Sequence, residues 1–228
     1  FTNDEVGNSS VPSNIVELDT PLGSVRYVSG EEGGCIGDAV TAANFSLNEN
    51  EDESDDDADL NDIAMGDPCV GKVYIFFGRE DLTDDGSTTV DVSTADVTVI
   101  GDPLDAFGAV VQGIPDFGGD IVTDELLISA PDFDGGRGKV YLLFGSRNLE
   151  GDIDLINGDI EHIEIVGENP GDNFGFSLSE GQGVFRGTGV FIVGTPFFGS
   201  DTGKAYLFGG GDLRTDKVND ATEAKSTG

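Results

Sequence analysis

Short apolar bursts, separated by glycine, proline and aspartate, set the rhythm of this chain. Some bursts alternate with polar residues, as in His162-Ile163-Glu164-Ile165-Val166; others are unbroken, as in Val140-Tyr141-Leu142-Leu143-Phe144. Alternation marks a strand with one buried face, and a short unbroken run marks a strand buried on both. No stretch carries helical periodicity. The pattern predicts strands over 39–42, 62–66, 72–77 and 97–100, then 109–112, 126–130, 139–144 and 162–166, and finally 177–179, 190–194 and 204–208.

These strands belong to a phrase stated three times. In its fullest form Phe107-Gly108 precedes an Asp-bearing loop, then Leu126-Leu127-Ile128-Ser129-Ala130-Pro131, then Gly138-Lys139-Val140-Tyr141-Leu142-Leu143-Phe144-Gly145. Ile36-Gly37 opens an earlier copy that closes on Gly66-Asp67-Pro68 and Gly71-Lys72-Val73-Tyr74. Phe174-Gly175 opens a later one that closes on Gly194-Thr195-Pro196 and Gly203-Lys204-Ala205-Tyr206. Self-similarity at a period of roughly 70 residues marks a repeat architecture whose units bury their apolar faces against one another. Four short strands per unit is the content of a β-propeller blade, so the expected fold is all-β and propeller-like, with three blades. Residues 25–210 form that domain, with blades over 25–96, 97–162 and 163–210, an N-terminal segment over 1–24 and a polar tail over 211–228. The third unit supplies only three strands. Val25-Arg26-Tyr27-Val28 precedes Gly37 much as Val97–Ile100 precedes Gly108, so this N-terminal strand is expected to complete the last blade. Three blades fall short of the usual four to eight. A head-to-tail homo-oligomer closing the ring is therefore expected.

Charge adds a setting. With 45 Asp and Glu against 11 Lys and Arg, the formal net charge is -34. Such a surface repels nucleic acid and anionic membranes. It also repels itself unless salt shortens the Debye length, to ~3 Å near 1 M. A salt-saturated environment is expected, with an acidic mesophilic protein held by calcium as the alternative. No stretch approaches the ~20 apolar residues of a membrane span, so direct membrane insertion is not expected. The chain opens at Phe1 rather than Met, which points to processing or a longer precursor. Cys35 and Cys69 flank the first acidic loop, at points that come together if the first unit folds like the second. A disulfide there would favour an extracellular site; two buried thiols are the alternative.

The acidic loops carry the chemistry. Counted back from the closing proline, the second loop places Asp116, Gly118, Asp120, Val122 and Asp124 at alternate positions, and the first places Glu53, Asp55, Asp57, Asp59 and Asn61 at the same offsets. Oxygen donors at alternate positions let a tight loop wrap a hard cation, and Ca²⁺ takes six to eight oxygens at roughly 2.3–2.6 Å. Val122 would contribute its carbonyl. Registers through Asn48, Asn50 and Asp52, or Asp55, Asp57, Asp59 and Asp62, remain open for the first loop. The third loop offers Gly181, Gly183, Phe185, Gly187 and Gly189 and is expected to be empty. In so acidic a chain, simple solvation of the surface is the competing explanation, particularly over 49–59.

Together these residues resemble FG-GAP repeats, the blades of the integrin alpha-subunit propeller and of many microbial surface proteins. The resemblance is fullest in the second unit; in the first, Ile36 replaces Phe and Gly66-Asp67-Pro68 replaces Gly-Ala-Pro. It implies that Glu53, Asp55, Asp57, Asp59, Asn61, Asp116, Asp120 and Asp124 are calcium ligands. With the charge, it implies a halophilic archaeon or its virus as the source. No nucleophile elbow or phosphate loop occurs, and His162, the single histidine, sits in an alternating strand. The expected function is a non-enzymatic, calcium-stabilised extracellular module for adhesion or assembly through protein or glycan contacts. A structural subunit of a virion or cell-surface assembly, or a non-catalytic fragment of a secreted enzyme, is the alternative.

Overall fold

The computed structural model describes residues 26–29, 32–46, 60–78, 89–115, 117, 123–146, 149–181 and 189–209. Their strands are β1 (Arg26–Val28), β2 (Ala39–Ala43), β3 (Asp62–Asp67), β4 (Lys72–Phe76), β5 (Thr89–Asp91), β6 (Val97–Ile100), β7 (Val111–Ile114), β8 (Glu125–Ala130), β9 (Lys139–Leu143), β10 (Gly151–Asp154), β11 (His162–Val166), β12 (Ser177–Glu180), β13 (Val190–Thr195) and β14 (Lys204–Gly209). The fold is all-β, as the pattern predicts. Each of the eleven strands expected between 39 and 208 forms, with ends moved by at most two residues. The largest shift is β7, which starts late because Ala106 and Gly108 take left-handed backbone angles and hold the chain in turns to residue 110.

Each unit is an antiparallel meander. The first runs β2-β3-β4-β6, the second β7-β8-β9-β11, and the third β12-β13-β14. Among the described residues no sheet closes on itself. The unbroken runs are buried on both faces because the sheets stack. Val73 and Ile75 of the first sheet meet Leu126, Ile128, Tyr141 and Leu143 of the second in one core. On the other side of the second sheet, Leu127, Val140 and Leu142 meet Phe191, Val193, Tyr206 and Phe208 of the third. A third core, of Met65, Tyr74, Phe76 and Val92, covers the remaining face of the first sheet.

The marker glycines occupy one conformation three times. Gly37, Gly108 and Gly175 have φ of 93, 92 and 90°. Each donates its N–H to the middle strand of its own unit, at Gly66 O, Ser129 O and Gly194 O. A left-handed angle of this kind is open to glycine and costly for other residues. The phenylalanine before it turns inward: Phe107 and Phe174 are buried and meet the rings of Tyr141 and Tyr206 edge-on, both with centroids 5.3 Å apart. The lysine of the Gly-Lys-Val-Tyr run lies over an aromatic ring in the preceding turn, Lys139 over Phe133 and Lys204 over Phe198.

Two parallel pairings were not legible from the pattern. β10 leaves the second unit and adds to β6 of the first, from Gly151 against Val97 to Asp154 against Ile100. β5 likewise leaves the first unit and pairs in parallel with β1. The N-terminal strand, expected to complete the last blade, pairs with β5 and, among the described residues, with no strand of the third unit. The Tyr27 ring packs 4.8 Å from Phe76 and joins the third core, alongside Val90 and Ile36.

Candidate functional site

Of the predicted calcium set, Glu53, Asp55, Asp57, Asp59, Asp116, Asp120 and Val122 lie outside the described residues; Asn61 and Asp124 lie within them. The structure describes how the second loop is anchored. On its first side the Phe117 ring is buried 5.0 Å from Phe191, and the Phe117 N–H donates to Glu125 Oε2 at 2.6 Å. On its last side Asp124 is tied to Asn44 of the neighbouring unit. Asn44 N–H donates to Asp124 Oδ2 at 2.9 Å, and Asp124 N–H donates back to Asn44 O at 2.7 Å. The residues flanking the segment that carries Asp120 and Val122 are therefore fixed on both sides. Asn61 is exposed at the corresponding exit of the first loop.

Asp62 follows Asn61 and does different work. It is buried at the start of β3, where Ser46 N–H and Ser46 Oγ donate to Oδ2 at 2.8 and 3.0 Å and Gly78 N–H donates to Oδ1 at 2.8 Å. One carboxylate thus joins the loop before β3 to the residue after β4. Asp62, the last residue of one open first-loop register, already accepts three hydrogen bonds in this structural role. Glu125 stands at the equivalent start of β8 and anchors the second loop in the same way. Sequence reading took Asp62 as the end of one alternative cation register and passed over Glu125 as one acid among many. The available signal was their shared place, directly before each apolar run and at the same distance from the closing proline.

Burial pushes the Asp62 carboxyl above its ordinary value, against the opposing pull of the Gly78 and Ser46 donors. An acid with a raised folded value favours folding most at low pH, and that contribution is lost as pH rises through the folded value. Asp62→Asn turns one acceptor oxygen into a donor facing an N–H. We expect a loss of about 1–2 kcal/mol at neutral pH, the range for one spoiled buried hydrogen bond. The deficit should widen as pH falls from 7 toward 4, because only the wild type gains from protonation. Urea unfolding at both pH values in molar salt checks this; a deficit independent of pH would contradict it.

At the opposite corner of the first sheet, Cys35 and Cys69 form a disulfide, with Cα atoms 5.6 Å apart and a sequence separation of 34. Of the two readings left open by the sequence, the bridged one holds. Buried Asp67 lies beside it and accepts the Cys35 N–H on Oδ1 at 2.7 Å. The two sulfurs and a carboxylate oxygen fall within 4.8 Å of one another. Both sulfurs are committed to the bridge, so this oxidised corner presents no thiolate to a metal.

His162 is packed in β11. Its Nδ1 lies 2.9 Å from Ile160 O, and its Nε2 lies 3.7 Å from Glu164 Oε1. Glu164 raises the histidine above its ordinary value, and His162, followed by Lys139, lowers the glutamate despite its partial burial. Lys139 Nζ also pairs with Glu164 Oε2 at 3.1 Å. The trio is a charge cluster shared by the edge strand β11 and its neighbour β9.

Where the turns after β6 and β8 meet, Asp102, Asp105, Asp132 and Asp134 gather on one rim. Burial first, and then Asp102, raise Asp105 above the usual carboxylate range, while Lys139 opposes them. Asp132 N–H donates to Asp105 O at 3.1 Å, so two successive units share the rim. Among the described residues, no helix is long and apolar enough to cross a membrane. Compared with known proteins, the chain matches no protein-family model and no curated protein.

Proposed function

We propose that this chain is a three-blade section of an FG-GAP-type β-propeller, acting outside the cell in high salt as a calcium-stiffened module for adhesion or assembly. The observation that carries the reading is the threefold corner. Three units place a glycine at nearly the same left-handed angle and donate its N–H to the same point of the middle strand; the residue before it meets the tyrosine of the third strand in two units and packs on the core that holds that tyrosine in the first. Face-to-face stacking of successive meanders supports blades of one propeller, and the disulfide supports an oxidising compartment. The role is binding rather than catalysis, through a protein or glycan partner. The reading as a structural subunit of a virion or cell-surface assembly is favoured by the edge of β14, which has no paired strand among the described residues.

Calorimetric calcium titration in molar NaCl, after chelation and desalting, tests the reading. We expect two Ca²⁺ per chain, one remaining in Asp116→Ala/Asp120→Ala and the other remaining in Asp55→Ala/Asp57→Ala. At a hundredfold excess over Kd the ions should add about 2.7 kcal/mol each to unfolding stability. Absence of heat and of any stability shift would remove calcium from the function and leave the loops as surface solvation.

A further inference from the structure

We infer that the open edge of β14 is completed by β1 of a second copy of this chain, in one specific register, so that two copies close a six-blade ring. The inference rests on the propeller reading and adds the partner and the contact.

The argument starts with three equivalent outer strands. Val99 of β6 is buried against the second sheet, and Ile165 of β11 is buried in the core shared with the third. Tyr27 of β1 plays the same part toward the first sheet. Each of β1 and β6 also receives a parallel strand, β5 or β10, which the following unit sends out between its third and fourth strands. Beyond those strands, Val92 and Leu155 are both buried. β1 therefore has the surroundings of a fourth strand belonging to a preceding blade. What it lacks, among the described residues, is that blade: β6 pairs with β4 and β11 with β9, whereas β1 has only β5. Conversely, β14 is a third strand with no fourth beside it among the described residues.

The sheet faces tell the same story. Within the chain, the face of one unit packs on the opposite face of the next, twice over. Ile75 and Leu142 are fully buried in those contacts, yet Leu207, at the equivalent place on β14, is 38% exposed. At the other end of the stack, Val111 is buried and Leu178 packs against the second core, yet their counterpart Val40 is 63% exposed. The stack of described sheets thus presents two complementary halves of an interface that it already makes twice. Rings are the closed form of such head-to-tail contacts, and six blades fall in the usual range. Because the two open faces complement each other, a second copy is the occupant.

The register follows from the paired examples. Ile100 faces Lys72 and Val166 faces Lys139, the lysines equivalent to Lys204. Matching Tyr27 to Val99 then sets Val28 against Lys204, Tyr27 against Ala205 and Arg26 against Tyr206. Val28 and Lys204 are both exposed, so cysteines fit at these positions, and the change at 204 gives up the Lys204 ion pair with Glu168 and its place over Phe198, which Lys204→Ala measures separately.

The test is light scattering in molar salt followed by mild oxidation and non-reducing electrophoresis. For the wild type we expect twice the 23.8 kDa chain mass. Leu207→Asp and Val40→Asp should each halve that mass without changing circular dichroism. Val28→Cys/Lys204→Cys should give a covalent two-chain species, and the off-register Val28→Cys/Leu207→Cys should give none. A cross-link confined to one chain would overturn the second-copy inference while keeping ring closure. A monomer with no cross-link would overturn the inference as well. Amide exchange then separates the two claims, since protected β6 and β11 keep the propeller reading and unprotected ones end it.

Discussion

Adding one methyl group at Gly138 is expected to cost about 2–5 kcal/mol, the sum of a left-handed alanine and an overpacked backbone. Gly138 has φ +82°, and a Cβ there would overlap the carbonyl oxygen, carbon and amide nitrogen of Phe174. Those are main-chain atoms, so no rotamer change relieves the clash. The Gly138 carbonyl also accepts the Gly167 N–H at 2.9 Å, just as Gly71 accepts the Gly101 N–H, so any shift spreads into the start of the next unit. Two controls separate the causes. Gly135 has φ +69° with nothing within 4 Å of a built Cβ, so Gly135→Ala isolates the backbone angle and should cost only about 1–2 kcal/mol. Gly66 has an ordinary angle, but its Cβ would overlap the Gly108 carbonyl oxygen, so Gly66→Ala isolates the clash. Urea unfolding of the three variants should rank Gly138→Ala as the worst. Equal losses at Gly138 and Gly135 would show that the close approach of Phe174 does not matter.

That glycine was visible as part of the repeated phrase, which is why so much of the fold was legible. A run such as Val140-Tyr141-Leu142-Leu143 can be buried on both sides only in a sheet covered twice, and it is. His162–Val166 alternates because β11 lies at an edge, with Ile163 and Ile165 turned to the core and Glu164 outward. β5 and β10 escaped because their sequences carry no strand pattern. Gly151-Asp152-Ile153-Asp154 reads as a turn, and it becomes a strand only because β6 offers an unpaired edge. Placement of β1 is a related case. Its spacing from Gly37 suggested a fourth strand, but spacing cannot say which sheet receives it, and the pairing with β5 came without any signal in the pattern. At the candidate site, alternating acids marked the loops, whereas the carboxylates that anchor them, Asp62, Glu125 and Asp124, are distinguished only by burial and by donors distant in sequence.

Opening the Cys35–Cys69 bridge is expected to lower stability by about 3–4 kcal/mol, the loop-closure entropy of a cross-link spanning 34 residues. In a chain of this size that corresponds to a fall of roughly 10 °C in Tm. The expectation follows from where the cysteines sit. Cys35 precedes the left-handed Gly37, and Cys69 follows Pro68 in the turn that leads to β4, so the bridge closes the whole first acidic loop. That loop carries many like charges, which swell the unfolded chain and favour separation of its ends. The folded corner has other ties that survive reduction: Cys35 N–H to Asp67 Oδ1, and Gly37 N–H to Gly66 O. Cys35→Ser/Cys69→Ser should therefore keep the native circular dichroism at 25 °C while melting early. Its deficit should shrink as NaCl rises from 0.2 to 3 M, because screening relaxes the repulsion that the bridge restrains. Thermal unfolding of the double variant and of reduced wild type measures both effects. A Tm within 2 °C of the oxidised protein at low salt would show that the bridge restrains nothing, and that the first loop is held by its hydrogen bonds alone.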